Sequence, residues 1–199
     1  MSPASFEELK KSTLDLLKRS LPAGLTYHHA GHTADVLQQS ERIAIEEGVT
    51  NEHDLLLLKI AALFHDTGFL YTYREHEKKS CEIMRRKLGN KLDESELTEV
   101  CKMIMATRIP QTPLDHLGEI ICDADLDYLG RDDFPEISDG LRLEFLQYGI
   151  VKDDLDWEEK QISFLKHHTY FTDNSKQLRQ SVKKDHLEKL VTIFSKRNT

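Results

Sequence analysis

The stretch Asp54–Gly68 (Asp-Leu-Leu-Leu-Leu-Lys-Ile-Ala-Ala-Leu-Phe-His-Asp-Thr-Gly) constrains the fold more than any other part of the chain. Leu55 to Leu58 and Ile60 to Phe64 are apolar on nearly every side of a helix. A helix of that kind is buried, because a surface helix shows a polar face. This one runs into His65 and Asp66, with Gly68 directly behind. A buried aspartate has to be paired, hydrogen-bonded or bound to a metal. Taken alone, the pair is as consistent with a helix terminus satisfied by backbone groups as with a metal site. Further ligand-type residues elsewhere in the chain decide between the two.

With 199 residues and 39% apolar composition, the chain can build one sizeable core and reads as a single domain over residues 1–199. A net charge of −8 argues against a general electrostatic grip on nucleic acid or an anionic membrane, so neither is expected as a partner. A local basic pocket for a small phosphate ester stays open. Cys81, Cys101 and Cys122 are odd in number and lack a paired metal spacing. They read as small apolar residues in a reducing compartment. Residues 1–20 carry no apolar export segment, and no uninterrupted apolar run approaches about 18 residues. The expectation is a soluble cytoplasmic protein.

Phe6, Leu9, Thr13, Leu16 and Leu17 recur at helical spacing, with acids early and Lys18 and Arg19 late, which predicts a helix over residues 5–19. Pro22 and Gly24 end it. An amphipathic helix then leads to Gly48, and Thr50 or Asn51 caps the buried helix. Further helices are expected near residues 75–88, 94–107, through Leu117, Ile120 and Ile121, and at 138–148, 155–168 and 174–196. No strand, repeat or linker is legible. The expected fold class is all-α, a helical bundle.

Histidine or carboxylate recurs at three separated, helix-associated places: His32, His65-Asp66 and Asp125. Imidazole with hard carboxylate oxygens suits one divalent ion such as Mn, Fe, Zn, Ni or Mg, and leaves positions for water. Helices of a bundle commonly aim such ligands inward at one site. The ordered set of His32, Ala61-Ala62-Leu63-Phe64-His65-Asp66-Thr67-Gly68 and Ala124-Asp125-Leu126 resembles the HD-domain metal-dependent phosphohydrolase superfamily over a motif core of about residues 27–130. The resemblance implies His32, His65, Asp66 and Asp125 as metal ligands and hydrolysis of a phosphate ester as the activity. The substrate it suggests is a small molecule, a nucleotide or cyclic nucleotide.

Tyr27-His28 followed by His32-Thr33-Ala34-Asp35-Val36 is similar to the signature of class I cyclic-nucleotide phosphodiesterases. By that likeness His28 is the general acid; Asp66, from the HD-type ligand set, is the other candidate catalytic residue. Imidazole suits proton transfer near neutrality. His29 reads as a bystander. Glu75-His76-Glu77 falls where some two-metal relatives place an extra histidine, yet Ala106 stands where a partner histidine would be wanted, which favours one ion. Arg108, His76 and Arg74 are the candidate substrate-binding residues, with Lys78 and Arg131 behind them. Asp127 reads as a surface or capping residue and His167-His168 as a helix end. Tyr71, Tyr73, Tyr170 and Phe171 read as local core with a capacity to stack a base. The helices at 138–196 are expected to cover the pocket. Two alternatives stand beside the hydrolase: a non-catalytic metal- or nucleotide-binding signalling module, and an iron-dependent HD-type oxygenase. Oligomeric state is left open, a homo-oligomer included.

Overall fold

A computed structural model describes residues 1–197. Among them the chain is helical, with no strand. Nine α-helices follow in order: α1 (Pro3–Ser20), α2 (Ala30–Glu46), α3 (Glu52–Phe64), α4 (His76–Leu88), α5 (Glu94–Ala106), α6 (His116–Asp125), α7 (Phe134–Gln147), α8 (Asp154–His167) and α9 (Asp173–Arg197). Single 3-10 turns at Thr67–Leu70 and Asp127–Gly130 follow α3 and α6.

The apolar α3 is the axis of the bundle, with α2, α5 and α6 packed around it. Leu58, Ile60, Ala61, Ala62 and Leu63 are completely buried, and each of the larger ones contributes about 1.5–3 kcal/mol by leaving water. Lys59, the one charge within the run, reaches out to Glu41 (2.6 Å) and covers the Phe6 ring. Local chemistry sets the helix starts. Asn51 accepts from the His53 amide at 2.9 Å, so Asn51 rather than Thr50 caps α3. Asp93 and Glu96 form a reciprocal capping box on α5.

Behind this core, Tyr27, Leu126, Tyr128, Leu129, Phe134 and Leu165 form a second cluster that seats α7, α8 and α9 against the end of α6. Two acids do the anchoring. Asp123 accepts from the Phe171 and Thr172 amides (2.9 and 2.8 Å) and the Thr172 hydroxyl (2.7 Å), fixing the α8–α9 connection. Asp127, expected at the surface or at a cap, is instead fully buried. It takes Arg42 at 2.8 Å and both arms of Arg179 at 2.9 and 3.0 Å, tying α2 to α9. Arg131 lies 3.6 Å from the same carboxylate and also binds Asp35 and Asp133, so its charge is spent within the fold rather than on a phosphate.

Candidate metal centre

The four carboxylate and imidazole groups singled out above arrive from three helices. His32 lies in the first turn of α2, whose start is fixed by the His29 ring accepting from the Gly31 and His32 amides (2.9 and 3.2 Å). Capping is thus the work of His29. His65 and Asp66 follow directly on α3, and Asp125 is the last residue of α6. Their functional atoms converge: His32 Nε2 is 3.1 Å from Asp125 Oδ1 and 3.4 Å from Asp66 Oδ2. His65 Nε2 is 3.1 Å from Asp66 Oδ2, 3.5 Å from Asp125 Oδ1 and 3.4 Å from His32 Nε2. One ligand atom each from His32, His65 and Asp66 lies within 4.8 Å of the other two.

The donor set fits a divalent ion on two counts. Asp66 Oδ2 is buried without a hydrogen-bond partner, and a buried carboxylate oxygen left so is expensive unless a cation completes it. His65 Nδ1 donates to the Ala62 carbonyl at 2.8 Å, which fixes the ring and turns Nε2 inward, as a ligating imidazole needs. Electrostatics agree. Burial alone would raise the Asp66 carboxyl, but His65 and His76 hold it well below the usual carboxylate range. Asp125 is brought down to about 2 against its own burial by hydrogen bonds from His32 and His65. Burial opposes protonation of His65, yet Asp66 and Asp125 raise it well above an ordinary imidazole. Two carboxylates held ionised beside buried rings are a cation's environment.

Gly68 explains the tightness of the turn behind these ligands. A Cβ there would stand 1.9 Å from the His76 carbonyl oxygen, so only glycine lets α4 approach. The buried Ser80 bridges the contact, accepting from the Gly68 amide (2.8 Å) and donating to the His65 carbonyl (2.6 Å). Glu75, at φ +53, turns the chain into α4. His76 then projects its Nε2 to 3.3 Å from Asp66 Oδ1, with Glu77 Oε1 at 3.6 Å.

His28 precedes α2 rather than sharing a helix face with His32. Its Nδ1 meets Glu144 of α7, and the other carboxylate oxygen of Glu144 accepts from the Tyr27 and His28 amides at 3.0 Å each. The Tyr73 hydroxyl donates to Glu144 at 2.9 Å. Phe69 lies between the two imidazoles, its centroid 4.3 Å from His28 and 3.9 Å from His76. Burial would raise the Glu144 carboxyl, but His28 and the backbone amides hold it below the ordinary value. Sequence reasoning missed Glu144. The available signal was an acid three residues after Leu141 and seven after Ile137, on the stripe of α7 that faces inward.

Asp66 and Asp125, with His28 and His76, border a cavity of about 780 Å³ whose lining also includes residues of α7 and α8. Arg108 is exposed between Thr107 and Ile109, which do line the cavity, and Arg74 is exposed outside it. His167 ends α8 and His168 is its C-terminal cap, so the pair is a helix end, and both also line the cavity. The four aromatics disperse: Tyr71 is exposed, Tyr73 serves Glu144, Tyr170 is core and Phe171 lines the cavity. No described helix is long and apolar enough to cross a membrane.

A family model described as the HD domain matches residues 30–127. No curated protein matches the chain. Among solved structures, the chain is similar to a crystal structure described as a predicted HD superfamily hydrolase from an uncultured Thermotogales bacterium. The TM-score is 0.60 at 21% identity, over 99% of this chain and 97% of that one. At that identity the likeness is one of fold.

Proposed function

Because this chain is a member of the HD-domain superfamily, we propose that it hydrolyses a phosphate ester with the help of one divalent ion. The observation that carries the reading is the convergence of His32, His65, Asp66 and Asp125 around the orphaned Asp66 Oδ2, at the end of a cavity large enough for a small molecule. Those four residues would hold the ion, which when bound polarises a phosphoryl oxygen and acidifies a water.

The remaining steps belong to the chain. Glu144, kept ionised, accepts a hydrogen bond from the Nδ1–H of His28 and so leaves Nε2 as the atom that gives a proton to the departing oxygen. Phe69 fixes the planes of His28 and His76 by stacking between them. His76 holds the outer oxygen of Asp66 and is the residue placed to meet a phosphate oxygen. Arg108 and Arg74, both exposed, are second-rank phosphate contacts. Mononucleotides and cyclic nucleotides enter as candidate esters through the His28–His32 spacing. Ala106 offers no ligand toward a second ion, which disfavours the oxygenase alternative, and the intact set of ligand-type residues disfavours a non-catalytic metal- or nucleotide-binding signalling module.

The test is elemental analysis of the purified protein with an assay of phosphate release from a panel of esters, with and without Mn. About one ion per chain is expected, lost together with activity in Asp66→Ala. A metal-free wild type, inactive even with added Mn, would sink the hydrolase reading. Two irons per chain with oxygen uptake would replace it.

A further inference from the structure

We infer that the ester cleaved here carries a bulky, uncharged, apolar organic group, aliphatic or aromatic, rather than a nucleoside with further phosphates. The inference rests on the phosphate-ester reading above and identifies the substrate class of the same site.

The cavity continues from the ligands into a wall built by α7 and α8: Phe134, Leu141, Phe145, Trp157, Phe164 and Leu165. Phe145 and Trp157 meet edge to face at 5.6 Å, and Phe164 is packed against the second core cluster. Such a wall gains by covering apolar surface, and aromatic faces accept alkyl chains and rings alike.

The buried and half-buried Gln and Thr side chains in the same wall are already hydrogen-bonded, and the Ser163 and Thr169 hydroxyls on its lining belong to exposed residues. Gln111 donates to the Cys122 carbonyl at 2.9 Å, Gln161 is bound to Ser138, and the Thr107 hydroxyl donates to Ile104. Among the described residues, the buried side-chain polar atoms without a partner that belong to residues bordering the cavity are Asp66 Oδ2 and His168 Nε2. A nucleobase carries several donors and acceptors along one edge. Buried against this wall it would leave most of them unmet, and unmet polar groups are what a site rejects most strongly.

Charge points the same way. Asp66, Glu77 and Asp125 border the cavity, and among the described residues the one lysine or arginine on its lining is Lys160, which is exposed and bound to Asp156 at 3.0 Å. One phosphoryl group can be neutralised at the ligand end. A second or third phosphate would have no fixed cation to meet, and an uncompensated charge in a partly desolvated site is costly.

Trp157 is the chain's one tryptophan and lines this wall, so it reports occupancy without turnover. The experiment titrates Mn-loaded protein with 4-phenylbutylphosphonate, a non-hydrolysable stand-in, while following Trp157 fluorescence. In parallel, kcat/KM is measured for 4-phenylbutyl phosphate, methyl phosphate, AMP and ATP. The expected result is saturable quenching or a blue shift, with kcat/KM for the phenylbutyl ester at least about tenfold above those for AMP and methyl phosphate and about a hundredfold above that for ATP. Phe164→Ala and Phe145→Ala, both at half-buried positions, should each raise KM for the phenylbutyl ester several-fold and leave methyl phosphate within about twofold. Preference for AMP or ATP, with no response of Trp157 to the phosphonate, would overturn the apolar pocket and leave the hydrolase intact. Saturable binding of the phosphonate with no phosphate released from any ester would do the reverse.

Discussion

His28 and Glu144 stand 116 residues apart in sequence, yet the Nδ1 of one meets the carboxylate of the other while that carboxylate also gathers the backbone amides of residues 27 and 28. The carboxylate does two things at once: it closes the approach to α2 and sets which nitrogen of His28 faces the cavity. Thr26 reinforces the docking through its hydroxyl, which donates to the Gly140 carbonyl at 2.6 Å.

Glu144→Gln separates those roles. The amide still offers an oxygen to the backbone, but it no longer stabilises a charged His28. If His28 is the proton donor, kcat should fall about 10–100-fold for an alkyl ester, whose leaving oxygen needs a proton, and less than about threefold for 4-nitrophenyl phosphate, whose leaving group does not. Bound metal should be unchanged. Equal losses on both esters, measured side by side, would assign Glu144 to structure alone.

Metal binding should appear as stability. An ion that binds only the folded chain stabilises by mass action, about 2.7 kcal/mol at a hundred times Kd. The melting temperature of the wild type is therefore expected to rise by several degrees with added Mn and to drop on chelation. Asp66→Ala, which removes the orphaned oxygen, should melt at one temperature in both conditions. A variant that still responds to Mn would show that the ion sits elsewhere.

Gly68→Ala tests the close approach of α4. Its methyl would have to displace backbone, since the nearest atom is the His76 carbonyl oxygen at 1.9 Å. A loss of about 3 kcal/mol is expected in denaturant unfolding, above the usual range for surface changes. Ser80→Ala, which leaves the buried Gly68 amide and His65 carbonyl unpaired, should cost about 1–3 kcal/mol. Near-neutral behaviour of Gly68→Ala would mean that the turn relaxes freely.

How far the sequence speaks depends on the range of the interaction. The apolar run from Leu55 to Phe64 announces a buried helix on its own, and the helix ends carry their caps within three residues, so the all-α architecture was legible. The proposed ligands could be singled out because each sits at a helix end or in a first turn, and the resemblance supplied their grouping; the structure brings His32, His65 and Asp66 together. Glu144 was not, because its burial depends on α7 folding back over residues 26–28, a contact no local pattern encodes. Asp127 was misread for the same reason: its three arginines come from α2, α9 and the turn beside it. Charged residues on a short turn look solvated until distant partners are known. Arg108 and Arg74 were singled out by sequence proximity alone, and both are exposed beyond the residues that line the cavity.

The outer cavity carries a pH dependence of its own, away from the ligands. His168 is half-buried, and its Nδ1 accepts from Lys183 at 3.1 Å. Burial and then the neighbouring ammonium lower the imidazole to about 3, so it stays neutral in the fold well below the pH at which a free histidine takes a proton. The sign follows from proton counting. Above about pH 6.5 neither state holds the proton and His168 contributes no pH dependence; between about 6.5 and 3 the unfolded chain binds a proton the native chain refuses, so stability falls as pH falls. Across that window the slope from this one group approaches about 1.4 kcal/mol per pH unit. Lys183, lowered to about 8 chiefly by burial, adds a second window: stability rises from about pH 8 toward 10.5 as the native amine sheds its proton first. Replacing His168 with glutamine keeps an acceptor for Lys183 and removes the titration. Urea unfolding at a series of pH values should show wild type and His168→Gln parallel above pH 7, with the variant losing less stability from pH 6 to 4. Parallel curves through pH 4 would mean that His168 titrates in the folded chain as it does in the unfolded one.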